Sequence, residues 1–229
     1  MAQTEKKART TEVKAVLFDM DGLMFDTEAL NLKGWAVAGR LHGFEITEEY
    51  ARKYIGIHMA TSRELMTAHF GEGFNFDAIR GDRIAWVFDY IEKNGTPVKK
   101  GLKELLTFLR EKGIKTALGS SSTRDLVTFY LEHARLNHTF DVIVCGDGMR
   151  GKPEPDIYLA ALEQLKAGPQ ESLVLEDTCT GVLAAHRAGI RSILVPDLLP
   201  PTPEAEKLVL QVVESLQDVI SIISTSNGY

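Results

Sequence analysis

The chain has 229 residues, of which 44% are hydrophobic and 25% charged, and its formal net charge is −6. This composition is typical of a globular protein that forms one large domain, or a domain with a smaller insert. The acidic balance disfavours a nucleic-acid partner, because the basic residues cluster only in the short KKAR at residues 6–9. No apolar run approaches the roughly 18 residues of a membrane span, which disfavours a membrane partner.

The N-terminal residues and the two cysteines predict the compartment. Residues 1–12 lack the apolar segment of a signal peptide, and we interpret them as a disordered leader. Cys145 and Cys179 lie far apart and in no metal-ligand spacing, which fits a reducing compartment better than a disulfide scaffold. We therefore expect a cytoplasmic protein, with a monomer as the default oligomeric state.

Five short apolar runs, rich in β-branched residues, have the pattern of buried parallel strands. They span residues 13–18, 114–119, 140–146, 172–176 and 191–196. Polar or glycine-containing turns and then helical patterns follow each of the first four. Strands that alternate with helices predict an α/β fold with a Rossmann-like parallel sheet.

The stretch between the first two predicted strands is far too long for a simple crossover. Such a connection needs only about a dozen residues, whereas residues 27–95 form helical patterns broken at glycines. This indicates an inserted α-helical subdomain. We place the α/β core at residues 13–26 and 97–229, and the helical insert at residues 27–96.

Polar side chains follow the predicted strands at their carboxyl ends. They are Asp19 and Asp21 after the first strand, Ser120 to Ser122 after the second, Lys152 in the GKPEPD loop after the third, and Glu176 and Asp177 at the end of the fourth. Open parallel sheets bind ligands beyond the carboxyl ends of their strands. We therefore expect these side chains to converge on one crevice.

Each of these motifs alone also has a structural explanation. The D-x-D-G acids could lie in a solvated loop, the serines could cap a helix, and a lone lysine is usually a surface charge. The glycine of D-x-D-G comes too early for an EF-hand, and the serines lack the G-x-S-x-G elbow of a serine hydrolase. Together, however, two acidic pairs supply the hard oxygen ligands that suit Mg²⁺, and hydroxyls and amides at a helix N-terminus suit a phosphate.

The motifs DMDGLMFDTE, LGSSS, GKPEPD and LEDTCTG resemble, in order and spacing, those of the haloacid dehalogenase-like hydrolases. The branch they resemble most holds β-phosphoglucomutase and small sugar-phosphate phosphatases. The resemblance implies that Asp19 is the nucleophile, that Asp21 protonates the leaving oxygen and later takes a proton from water, and that Lys152 neutralises charge. It also implies that Ser120 and the amide of Ser121 bind the phosphoryl oxygens.

The same resemblance implies a Mg²⁺ cofactor and a cap. The ion would be held by Asp19, the backbone carbonyl of Asp21 and Asp177, with Glu176 as a direct or water-mediated ligand. The helical insert would be the cap that selects the substrate. Its candidate substrate-contacting residues are Glu28, Asn31 and His58, and Asp26 is expected to cap its first helix.

One departure from the family pattern separates two possible reactions. β-Phosphoglucomutase uses a histidine in the first cap helix, and an ungapped alignment from DMDG puts Asn31 at that position. An asparagine cannot donate and recover a proton in this way. The favoured function is therefore a Mg²⁺-dependent phosphatase that acts on a small phosphorylated metabolite, a sugar or nucleoside phosphate.

Two alternatives remain open. A phosphosugar mutase of the β-phosphoglucomutase type shares all the core motifs. A receiver-like regulatory phosphoacceptor, from another functional class, also combines aspartates, Mg²⁺, a hydroxyl and a lysine. Such receivers are shorter, lack an inserted cap and carry no D-x-D pair, and they undergo a single phosphorylation rather than turnover.

Overall fold

A computed structural model of the chain describes residues 11–55, 57 and 59–229. The described chain forms two compact units, which divide between Met24 and Phe25 and again between Pro97 and Val98. We call them the sheet unit (up to residue 24 and from residue 98) and the helical unit (residues 25–97). None of the described helices combines the length and hydropathy needed to cross a membrane.

The elements follow one another along the chain with helices between successive strands of the sheet. In chain order they are β1 (Ala15–Phe18), α1 (Thr27–Leu41), α2 (Glu48–Arg52), α3 (Met59–Phe70), α4 (Phe76–Asn94), α5 (Leu102–Glu111), β2 (Lys115–Gly119), α6 (Arg124–Ala134), β3 (Val142–Val144), α7 (Asp156–Leu165), β4 (Ser172–Glu176), α8 (Cys179–Arg187), β5 (Arg191–Leu194), α9 (Pro203–Glu206), β6 (Gln211–Val212) and α10 (Leu216–Asn227). A 3₁₀ turn, Pro169–Glu171, precedes β4.

The sheet unit is built on a six-stranded sheet in the order β3-β2-β1-β4-β5-β6, with parallel pairing throughout. The register pairs Phe18 of β1 with Leu118 of β2 and with Leu175 of β4. These three strands therefore end at the same level, which brings the residues that follow them to one edge of the sheet. The predicted α/β fold with a Rossmann-like parallel sheet is confirmed.

The β1 strand is buried along its whole length because helices cover both faces of a parallel sheet. On one face, Ala15 and Leu17 pack with Ile157 and Ala161 of α7 and with Ala184 of α8. Full burial of a side chain of the size of Leu or Ile contributes about 1.5–3 kcal/mol. This packing holds the start of α7 and the start of α8 beside the carboxyl end of β1.

The sheet contains one more strand than the sequence predicted. The strand β6 pairs with β5 through only two residues, Gln211 and Val212. A two-residue strand cannot show the continuous apolar run or the alternation that identifies a longer one. Its position at the sheet edge keeps it away from the carboxyl end of β1.

In the helical unit, α1 and α4 pack closely because a glycine lies at their contact. A Cβ on Gly34 would lie 2.9 Å from the Cγ of Arg83 and 3.2 Å from a methyl group of Val87. A larger residue at this position would require the Arg83 side chain to shift. The close packing buries Leu30 and Ile91, which lie among the apolar residues of these helices.

The start of α1 differs from the prediction. Asp26 occupies the N-cap position, but its side chain makes no capping hydrogen bond, so the predicted capping role is wrong. The reason lies in the backbone, whose ψ of 48° at Asp26 is far from the extended conformation that N-caps adopt. Thr47 and Asn75 do cap their helices, accepting hydrogen bonds from the amides of Tyr50 (3.0 Å) and Ala78 (3.1 Å).

Candidate active site

Asp19 lies directly after β1, in a buried position, where Lys152 contacts it. The Asp19 amide donates to the Leu175 carbonyl (3.1 Å), which continues the pairing of β1 with β4 by one residue. The Lys152 ammonium donates to Oδ1 of Asp19 and, at 2.6 Å, to Oε1 of Glu176. Lys152 therefore bridges the acids that follow β1 and end β4.

Burial and neighbouring charges shift the pKa values of Asp19 and Lys152. Burial raises the pKa of Asp19 to about 7, and the ammonium of Lys152 limits that rise. Burial alone would lower the pKa of Lys152, but the carboxylates of Asp19 and Glu176 raise it well above its usual value. Lys152 consequently remains a cation over the whole physiological pH range, and Asp19 has a charged partner at its Oδ1 atom.

The loop that carries Lys152 is tied to the helices on either side of it. The Arg187 guanidinium, at the end of α8, donates to the Pro153 carbonyl (3.1 Å) and to the Glu154 carboxylate (2.8 Å). Arg150 binds both carboxylate oxygens of Asp156, each at 2.9 Å, where α7 begins. These side chains are partly exposed, so their main effect is to restrict the path of the loop.

Glu176 is completely buried, and protein groups donate to both of its carboxylate oxygens. Oε1 accepts from Lys152 and from the hydroxyl of Tyr158, and Oε2 accepts from the hydroxyl of Thr178 (3.2 Å). A Cβ on Gly181 would clash with the Glu176 carboxylate, so the first turn of α8 can approach it only with a glycine there. Glu176 is thus fixed in position by its neighbours.

Asp177 completes a group of three acids at the carboxyl end of the sheet. One carboxylate oxygen from each of Asp19, Glu176 and Asp177 can be chosen so that all three lie within 4.8 Å of one another. Oδ1 of Asp177 is buried and accepts no hydrogen bond from the described residues. Burial, followed by the charges of Asp19 and Glu176, raises the pKa of Asp177 to about 10.

This donor set fits a hard divalent cation such as Mg²⁺. Crowded carboxylates disfavour their charged forms unless a cation lies among them, and a single ammonium from Lys152 offsets only part of their charge. The turn that follows Asp21 also leaves space for Asp177. Gly22 has a φ of +82°, and a Cβ at that position would clash with Oδ2 of Asp177.

Asp21 contacts the serine run that follows β2. The hydroxyl of Ser122 donates to Oδ2 of Asp21 at 3.0 Å, and the amide of Ser122 donates to the hydroxyl oxygen of Ser120 at 3.1 Å. Ser120 is buried, whereas Ser121 is exposed. The structure therefore brings Asp21 and the LGSSS segment together, with Ser122 as the direct contact.

The predicted cap residues that are described lie in the helical unit. Glu28 and Asn31 line a cavity of about 250 Å³ together with Trp35 and Arg83. The Arg83 guanidinium donates to Oδ1 of Asn31 and lies 5.3 Å from the centroid of the Trp35 ring. His58 lies outside the described residues.

Sequence reasoning missed Tyr158, Ser122 as a partner of Asp21, and Arg83. Tyr158 occupies a buried position on the apolar face of α7, where its hydroxyl requires a hydrogen-bond partner. A tyrosine at an apolar position of this helix was therefore a sequence signal for a buried polar contact. For Ser122 and Arg83 the contacting residues lie far away in the chain, and no local pattern indicated them.

Comparisons with known proteins agree with this set of motifs. Residues 16–195 match the family model of the haloacid dehalogenase-like hydrolases. The chain is 33% identical over 185 residues to a phosphorylated carbohydrates phosphatase from Thermotoga maritima, covering 79% of this chain and 84% of that protein. It is 29% identical over 180 residues to the validoxylamine A 7'-phosphate phosphatase of Streptomyces hygroscopicus subsp. limoneus, covering 77% of this chain and 83% of that protein.

A solved structure shows the same fold. The crystal structure of a HAD family hydrolase from Deinococcus radiodurans, with bound phosphate and sodium, superposes with a TM-score of 0.79 at 25% identity. The superposition covers 94% of this chain and 97% of that chain. The similarity thus extends over both units of the described chain.

Proposed function

Because the chain belongs to the haloacid dehalogenase-like hydrolase family, we propose that it is a Mg²⁺-dependent phosphatase that hydrolyses a small phosphomonoester through an aspartyl-phosphate on Asp19. The substrate class is a sugar or nucleoside phosphate. The observation that carries the proposal is the contact of Lys152 with Asp19 at the end of β1, beside Oδ1 of Asp177, which accepts no hydrogen bond from the described residues. This arrangement places the Asp19 carboxylate next to a fixed cation and next to a second hard oxygen ligand, that of Asp177.

In the first step, a carboxylate oxygen of Asp19 attacks phosphorus while the bond from phosphorus to the substrate oxygen breaks. Asp21 gives its proton to that leaving oxygen, and the Ser122 hydroxyl fixes the Asp21 carboxyl group from one side. Lys152, held by Glu176, stabilises the negative charge on the transferring group. Ser120 and the Ser121 amide bind the phosphoryl oxygens in this proposal.

In the second step, water attacks the phosphorus of the aspartyl-phosphate. Asp21 takes the proton from this water, the bond from phosphorus to Asp19 breaks, and inorganic phosphate leaves. Splitting the transfer into two displacements is the usual benefit of covalent catalysis. Asp21 thereby returns to its protonated form and Asp19 to its carboxylate form.

The metal belongs to the same proposal. Asp19, Asp177 and the backbone carbonyl of Asp21 would hold Mg²⁺, which when bound neutralises charge on the phosphoryl group. Glu176 would act through Lys152 or through water, since protein groups already donate to both of its oxygens. Membership of the haloacid dehalogenase-like hydrolase family supports a divalent cation of this kind.

The helical unit is proposed to act as the cap that selects the substrate. Glu28, Asn31 and His58 remain its candidate substrate-contacting residues. The hydrogen bond from Arg83 to Asn31 supports a fixed amide rather than a proton-transferring group at that position, which favours a phosphatase over a mutase. We also propose that the protein is a monomer and lies in the cytoplasm. The location is supported by Cys145 and Cys179, which form no disulfide bond.

The proposal is tested by inorganic phosphate release from a panel of small phosphomonoesters, with Mg²⁺ and with EDTA. We expect release that requires the metal and is lost in Asp19→Asn, which keeps the shape of the side chain but removes its charge. The exposed Asp125→Asn on α6 is the matched control and should retain activity. Substantial turnover in Asp19→Asn would contradict the mechanism, and isomerised product without phosphate release would favour the mutase.

A further inference from the structure

A partly buried ion pair in the sheet unit has no role in the mechanism proposed above. Lys99 donates to Oδ1 of Asp197, and only 7% of the Asp197 side chain is exposed, against 26% of the Lys99 side chain. Asp197 follows β5, whose Leu194 pairs with Glu176 at the end of β4. Asp197 therefore lies at the same edge of the sheet as the acids that end β4.

The two oxygens of Asp197 have different surroundings. Oδ1 accepts the hydrogen bond from Lys99, whereas Oδ2 is buried and accepts none from the described residues. A carboxylate oxygen that is removed from water without a donor costs free energy, and such oxygens are rare in folded proteins. A donor from outside the chain would remove that cost.

Oδ2 of Asp197 lies beside the turn that carries the proposed metal ligands. A Cβ on Gly22 would lie 3.3 Å from this oxygen and would also clash with Oδ2 of Asp177. The two carboxylates therefore flank the same backbone position, directly after Asp21. Oδ1 of Asp177 likewise accepts no hydrogen bond from the described residues, so the segments that follow β4 and β5 each present such a carboxylate oxygen here.

We propose that Asp197 is an outer ligand of the divalent cation, accepting through Oδ2 a hydrogen bond from a water molecule on the Mg²⁺ held by Asp177. The inference rests on the proposed function, because it requires the metal that the mechanism uses. Magnesium retains several of its waters in protein sites, and groups outside the first shell orient such ligands. Lys99 donates to the other oxygen of Asp197 and so offsets part of the carboxylate charge.

The test is a calorimetric titration of the metal-free full-length protein with Mg²⁺ alone. Asp197→Asn keeps the size of the side chain but weakens the acceptor, and we expect Mg²⁺ affinity to fall by about tenfold, the low end for outer ligands. The exposed Glu206→Gln on α9 is the control and should bind Mg²⁺ as the unmodified protein does. Melting in EDTA shows separately whether each variant is folded.

The outcomes separate this proposal from its competitors. Unchanged Mg²⁺ affinity in Asp197→Asn would show that the pair is purely structural, and a loss as complete as that of Asp177→Asn would make Asp197 a direct ligand. Either result overturns the proposal, as does a failure of the unmodified protein to bind Mg²⁺. Because the readout is binding, it stays interpretable even if the protein releases no phosphate and the proposed function fails.

A second variant keeps the proposal testable if Asp197→Asn does not fold. Lys99→Met removes the neutralising ammonium and leaves the Asp197 carboxylate, so we expect Mg²⁺ affinity to rise several-fold while stability in EDTA falls. Lys103→Met, an exposed lysine on α5, is the matched control and should leave the affinity unchanged. A lower Mg²⁺ affinity in Lys99→Met would contradict the proposal.

Discussion

Tyr158 donates its phenolic hydrogen to Oε1 of Glu176, the same oxygen that accepts the Lys152 ammonium. Its ring also lies under that ammonium, with Nζ of Lys152 4.9 Å from the ring centroid. Burial, together with the charge of Glu176, raises the pKa of Tyr158 well above its usual value, so the hydroxyl remains a donor. Tyr158 thus fixes Glu176, Glu176 fixes Lys152, and Lys152 contacts Asp19.

Tyr158→Phe should therefore lower kcat with little effect on KM. The variant removes one hydrogen bond to a charged acceptor, worth about 1.5–3 kcal/mol, and leaves Lys152 less firmly placed over Asp19. Steady-state phosphate release and thermal denaturation measure the two effects. Tyr90→Phe, at an exposed tyrosine of α4, is the control. An unchanged kcat in Tyr158→Phe would mean that Lys152 is held well enough without the tyrosine.

Lys152→Met should destabilise the protein as well as abolish turnover. Lys152 is the cation that contacts two buried carboxylates, and removing one partner of a buried ion pair typically costs about 3–5 kcal/mol. Denaturant unfolding in EDTA measures that loss, and Lys207→Met, an exposed lysine after α9, provides the baseline. Equal stability of the two variants would show that another group neutralises Asp19 and Glu176.

The sequence predicted the edge where these residues meet, because that prediction needs only the strands and their direction. Once β1 and β4 are parallel neighbours, the acids that follow them must lie together. The contacts of Tyr158, Ser122 and Asp197 depend instead on how distant segments pack against one another. Such contacts leave no spacing pattern in the chain, and each becomes visible only in three dimensions.

The wrong prediction for Asp26 has a related cause. An aspartate before a helical pattern is a good capping candidate, since Asp is among the preferred N-cap residues. The capping geometry, however, requires an extended backbone at that residue, and the backbone of Asp26 does not adopt it. Residue type predicts the start of α1 correctly to within a residue but does not predict how the side chain is used.

Magnesium binding should release protons at pH 7. In the metal-free protein the pKa of Asp19 is about 7 and that of Asp177 about 10, both raised from 3.8 mainly by burial. Groups with raised pKa values stabilise the metal-free fold at low pH, and this stabilisation is lost as the pH rises through 7 and then 10. A metal needs the carboxylate forms and displaces the protons, so its apparent affinity should rise over the same range.

Calorimetric titration with Mg²⁺ at one pH, in buffers of different ionisation enthalpy, measures the released protons. We expect the observed heat to change with the buffer, and to change less in Asp177→Asn, which lacks the carboxyl group with the higher pKa. A heat that is the same in every buffer would show that Asp19 and Asp177 are already charged before the metal binds.

Gly22→Ala should abolish the stabilisation of the protein by Mg²⁺. The φ of +82° at Gly22 strains any residue with a side chain, and the added methyl group would also clash with Oδ2 of Asp177. The strain alone costs about 1–2 kcal/mol. The clash would move the carboxylate that the metal requires, so the melting temperature should no longer rise when Mg²⁺ is added.

Gly189→Ala separates the two effects. Gly189 has a similar φ of +72°, but no atom of the described residues lies within 4 Å of its added Cβ, so this variant carries the backbone strain without the clash. It should melt at a lower temperature than the unmodified protein and keep the full Mg²⁺-dependent increase in melting temperature. That increase corresponds to about 2.7 kcal/mol of added stability when the metal is at 100 times its Kd. If Gly22→Ala keeps that increase as well, Asp177 does not hold the metal from its present position.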